Sequence, residues 1–213
     1  MSGHNCPMSV APLHPAADIA AAAARLVVDE GLDYASAKRQ AVRRLGLAGR
    51  VDLPDNAVLE AAIREHIAVF CPEEQALALR ALRELALLWM ERLREFRPHL
   101  TGPVWHGTAT AHTDVLLHLF CDDPKGAEWT LLDRGVAYQT GQAPGWRGDI
   151  AESLTLRVRC DALQSWVMLH LVLHDLDDLR GALQPDGQGR RPRGDAAAVR
   201  SLLARNDLKD EKT

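Results

Sequence analysis

Aromatic residues make up only 5% of this 213-residue chain, while Ala and Leu are abundant. That balance favours helices over a β-sandwich and predicts at most a small sheet. Cysteine is also scarce: Cys6, Cys71, Cys121 and Cys160 form no C-x-x-C pair and have no histidine at zinc-finger spacing. Neither a disulfide framework nor a structural zinc site is written here, and a reducing, cytoplasmic compartment is expected. No run approaches the roughly 20 apolar residues of a membrane span. Met1 to Pro15 lacks the basic stretch and apolar segment of a secretion signal, so a soluble chain without a membrane partner is expected. Positive charge is not in excess either. Twenty-five Lys and Arg against 29 Asp and Glu leave a net charge of -4, so binding to nucleic acid would need a local patch.

What is present is an ordinary globular balance, 47% hydrophobic and 25% charged. Residues 1–15, with Pro7, Pro12 and Pro15 and no periodicity, read as a loose tail. Residues 16–97 read as a helical region. Its first helix starts with Asp18 as N-cap, a second runs from Tyr34 to Leu45, and a third from about Asp55 to Phe70. The longest runs from Pro72 to Phe96, with Pro at its start and Pro98 as its stop. Residues 98–213 change character. Thr113–Phe120, Val136–Thr140, Ser153–Arg159 and Trp166–His174 read as strands, and a helix is expected between Asp123 and Gly135. Two further helices are expected over Asp177–Leu183 and Gly194–Asn206. The fold class is therefore α+β.

Residues 100–120 read LTGPVWHGTATAHTDVLLHLF. This segment resembles the signature of the minimal nucleotidyltransferases of the DNA polymerase β superfamily, in which hydrophobic-Gly-Ser and Gly-Thr-Ala precede Ser-Asp-x-Asp on a strand. Gly102, Gly107, Thr108, Ala109, Thr113 and Asp114 fall on matching positions. The resemblance implies a strand, a short helix that receives an NTP triphosphate, and a second strand whose two carboxylates hold Mg²⁺. Such chemistry needs two acids on one strand face, about 6.6 Å apart, to share metal ions. Here Pro103 stands in place of the Ser, and Leu116, which cannot ligate Mg²⁺, in place of the second Asp. The third carboxylate would have to come from Asp149, Glu152 or Asp161, which flank a later strand. A nucleotidyltransferase-like protein with impaired catalysis, binding a nucleotide or a protein partner, is the resulting expectation. An active Mg²⁺-dependent enzyme is the alternative.

The whole chain also resembles a group of short proteobacterial proteins, some of them labelled UDP-N-acetylmuramate–alanine ligase. That activity would need a G-x-x-x-x-G-K-[ST] phosphate loop, and none occurs.

Each candidate residue has a plain structural role beside its functional one. Asp114 is a metal ligand and catalytic residue, or a turn cap before an apolar strand. Trp105 stacks on a base, or packs the short helix on the sheet. His106 and His112 meet a phosphate, or are solvated loop histidines. His118 lies about 13 Å along the strand from Asp114, too far to share an ion, and His170 and His174 are likewise too far apart on their strand. Arg157 and Arg159 alternate with Leu156 and Val158 and line one exposed sheet face, with Arg147 nearby in sequence as a further candidate cation. Lys38, Arg39, Arg43, Arg44 and Arg50 form a basic stretch on the second helix, either a nucleic-acid contact or a solvated face.

Overall fold

The computed structural model describes residues 15–47, 51–145, 147–187 and 189–210. Fourteen of the fifteen residues expected to form a loose tail, Arg50 of the basic stretch and Cys6 lie outside the described residues. The fold is α+β, with helices and one six-stranded mixed sheet.

The chain divides into two compact units at 71/72, rather than at the expected 97/98. The first unit holds α1 (Pro15–Glu30), α2 (Tyr34–Arg44) and α3 (Asn56–Phe70). Pro15 opens α1, and Asp18 sits in its first turn instead of capping it. The other two starts follow the capping rule: Asp33 Oδ1 accepts from the N–H of Ser36, and Asp55 Oδ1 from that of Val58. Ile19, Ala23, Ala24, Leu26, Ala37, Ala41, Leu59, Ile63 and Ile67 form this unit's core, where the small alanines let the backbones approach closely. Lys38 is buried and donates to Asn56 Oδ1 at 2.8 Å. Arg44 pairs with Glu30. The basic stretch is thus not a uniform exposed row.

The second unit opens with α4 (Pro72–Arg92), followed by a 3₁₀ turn (Arg94–Phe96) where a continuous helix to Phe96 was expected. Next come β1 (His99–Thr101), α5 (Gly102–His106), β2 (Val115–Cys121), α6 (Pro124–Asp133), β3 (Tyr138–Pro144), β4 (Ile150–Cys160) and β5 (Ser165–Asp175). A 3₁₀ turn (Leu176–Asp178), α7 (Leu179–Ala182), β6 (Arg193–Gly194) and α8 (Ala196–Asp210) complete it. The third strand starts two residues later than Val136 and extends to Pro144. Gly194 belongs to a strand, and the last helix begins only at Ala196.

The sheet order is β3-β4-β5-β2-β1-β6. β2 and β5 run parallel, and every other neighbouring pair is antiparallel. One face presents Leu100, Val115, Leu117, Leu119, Leu154, Leu156, Leu169 and Leu171 to the stripe formed by Leu82, Ala86, Trp89 and Met90 of α4 and by Leu93 just beyond it. Each fully buried Leu adds about 1.5–3 kcal/mol, so α4 belongs to the sheet's core. On the opposite face the β4–β5 hairpin stays open near Arg157, Arg159 and Trp166. Further along, His118, Phe120 and His174 are buried.

Candidate functional site

Two neighbouring constellations occupy the sheet face opposite α4. Both arise from one regularity: Asp114 and His118 on the β2 segment, and His170 and His174 on β5, each stand four residues apart. β2 and β5 are parallel with Leu116 level with His170, so each residue of the first pair meets its counterpart on a diagonal.

Asp114 ends the turn before β2, and its half-exposed carboxylate lies 3.3 Å from His170 Nε2. Thr155 Oγ1, directly across from His170 on β4, lies 3.0 Å from His170 Nδ1. The carboxylate can only accept, so Nε2 carries a proton, and in the neutral ring Nδ1 then accepts from the Thr155 hydroxyl. A hydroxyl, an imidazole and a carboxylate in line are the parts of a nucleophilic relay. Thr155, however, lies mid-strand between β3 and β5, whose ladders take the local backbone N–H groups. Among the described residues of these strands no free N–H pair stands beside it for an oxyanion.

The segment that carries the resemblance does fold as strand, short helix and strand. Gly102 and Gly107 adopt left-handed backbone, with φ of 71° and 84°. Arg83 of α4 donates from Nε to the Val104 carbonyl at 3.1 Å and from Nη2 to that of Trp105. Gln75 Nε2 reaches the carbonyls of Gly107 and Ala109. Thr108 is buried, and the Thr113 hydroxyl accepts from the N–H of Thr110 at 2.9 Å. Trp105 donates to the Arg191 carbonyl and lies against Gly194, so here it packs. His106 is half-buried at the end of α5.

Among the described residues Asp114 meets no second carboxylate. Extending the register places it level with Met168 on β5 and Arg157 on β4. Glu152 and Asp161 are five and four residues from Arg157, about 16 and 13 Å along the strand. Neither can share an ion with Asp114. Among the described residues no group of three or more His, Cys, Asp or Glu could hold a metal, and the donors around Asp114 do not fit a two-magnesium centre.

The chain matches no family model and no curated protein. Among the described residues no helix is long and apolar enough to cross a membrane.

The second constellation carries no mark in the sequence beyond the shared spacing. His174 Nε2 lies 2.8 Å from His118 Nδ1, and Arg193 Nη1 lies 3.2 Å from the same nitrogen. The guanidinium is donor-only, so His118 Nδ1 accepts both bonds and its proton sits on Nε2. His174 in turn carries a proton on Nε2. His99 donates from Nδ1 to the Arg97 carbonyl at 2.8 Å and meets Phe120 edge-on, while the His174 ring stacks on Phe120. Burial is the main cause of lowered pKa at all three histidines, and Arg193 adds to it at each. His118 falls from 6.5 to about 3. Arg193 Nε is buried without a hydrogen-bond partner, so a cation is held among neutral imidazoles. Burial and the neighbouring acids Asp123, Asp122 and Asp175 push the Cys121 thiol up to about 11, which leaves it inert at neutral pH.

Proposed function

We propose that the second unit is a nucleotidyltransferase-like module that binds a nucleotide without transferring it. One observation carries this reading. Around Asp114, the positions where further metal-binding carboxylates would act hold Leu116, His170, Thr155 and Arg157. The strand–helix–strand order and the two left-handed glycines support a likeness in fold. The Asp114 carboxylate, held by His170, remains able to accept hydroxyl protons such as those of a ribose.

Calorimetric titration of the full chain with ATP, GTP, CTP and UTP, with and without Mg²⁺, tests this. The expected result is binding that does not require magnesium and releases no pyrophosphate. Magnesium-dependent binding with turnover, both lost in Asp114→Ala, would establish the active enzyme instead. Absence of binding to all four nucleotides would remove the nucleotide reading.

A further inference from the structure

The open part of the sheet face carries an arrangement that the nucleotide reading does not use. Trp166, on β5, is 54% exposed. Directly across on β4 stands Arg159, and diagonally Arg157; their guanidinium carbons lie 6.0 and 4.6 Å from the indole centroid. Both arginines are exposed. Arg159 has Asp161 at 3.6 Å, whereas among the described residues no carboxylate pairs with Arg157. The surface continues through half-exposed Met168 and Thr155 to exposed Gln139.

The geometry points to a binding surface for single-stranded nucleic acid, with a base stacked at Trp166 and successive phosphates at Arg157 and Arg159. Three physical features select this occupant. An exposed indole offers a π-face that any base can stack on, and bases are free to do so only in a single strand. The two arginines point to the same side of β4 two residues apart, about 6.6 Å, which is farther than one phosphate group spans and suits two in succession. A guanidinium that lacks a carboxylate and already stands over an aromatic ring, as Arg157 does at 4.6 Å, can pair with a phosphate while it keeps that contact. With a net charge of -4, the chain attracts a polyanion only where such a local group stands. A duplex hides its bases and leaves the indole without a partner.

Fluorescence anisotropy of the full chain with an end-labelled 12-nucleotide RNA tests the proposal, alongside the same sequence as a duplex and a labelled mononucleotide. The expected result is binding of the single strand with a log–log salt slope of about -1.4, for two phosphates at about 0.7 each. Arg157→Ala should reduce that slope to about -0.7. Trp166→Ala should weaken binding about 5- to 150-fold, and Trp166→Phe should recover part of it. Thermal melts of the three variants check that they fold, which the exposure of these side chains favours. Equal binding of duplex and single strand, a flat salt response, or affinity unchanged by both Arg157→Ala and Trp166→Ala would overturn the proposal. Asp114→Ala removes none of the Trp166, Arg157 and Arg159 side chains, so loss of mononucleotide binding in that variant with retained RNA binding separates failure of one reading from failure of the other.

Discussion

The buried imidazole cluster should make the second unit acid-sensitive in a way that His118 dominates. In the folded chain His118 titrates at about 3, and in the unfolded chain at its ordinary 6.5. As pH falls below 6.5 the unfolded state takes up a proton that the folded state refuses, so stability is full above 6.5 and declines toward pH 3. The slope for one such group is about 1.4 kcal/mol per pH unit, and the whole interval corresponds to about 5 kcal/mol, comparable to the entire stability of a modest domain. The perturbation is His118→Gln, whose side-chain oxygen can still accept from Arg193 but does not titrate. All five tryptophans lie after residue 71, so indole fluorescence during urea unfolding reports the second unit alone. Above pH 7 the wild type should be the more stable. Its advantage should shrink by about 1.4 kcal/mol for each unit below 6.5, and by pH 5 the curves should have converged by about 2 kcal/mol. His99 and His174 remain in both proteins, and only the change in their coupling to position 118 enters the difference. Parallel curves from pH 7.5 to 5, or a wild type that gains on the variant as pH falls, would refute a neutral, buried His118.

Two further tests concern the loop around α5. At Gly194 an added Cβ would sit 2.2 Å from the Trp105 ring, so Gly194→Ala should destabilise by about 1–3 kcal/mol and alter the near-ultraviolet dichroism; Gly187→Ala, with nothing within 4 Å, should stay within about 0.5 kcal/mol. Arg83→Leu leaves the Val104 and Trp105 carbonyls without their donor, and should cost about 2 kcal/mol in urea unfolding while hydrogen exchange over 102–113 rises ahead of global unfolding.

Long, strongly patterned elements were legible in the sequence because their signals are local. Asp55 and Asp123 cap where the helix starts were read, and β4 and β5 follow from alternation in Val- and Leu-rich runs. What lay outside the sequence's reach depends on partners. β6 is two residues long and exists only because β1 offers an edge, so no periodicity announces it. The apolar stripe of α4 resembles those of the preceding helices, and nothing in its spacing says that it packs on a sheet. The separation of His170 from His174 was readable, but not that each would find its own partner on β2, since that requires the parallel register. A four-residue spacing repeated in two strands is the signal that, combined with a parallel pairing, could have disclosed both contacts.

The sheet order also fixes the sequence of events by which the second unit assembles. β4 and β5 are joined by a short turn and can zip together early, whereas Val115 must find Leu169 and Leu100 must find Gly194 across much longer stretches of chain. Loop-closure entropy delays such pairings until enough apolar area is gathered to reward them. During synthesis β1 therefore waits with an open edge until residue 194 has been made. Arg193 arrives with that same strand, so the imidazole cluster is completed only as the last edge closes, and its cation is among the final groups to leave water.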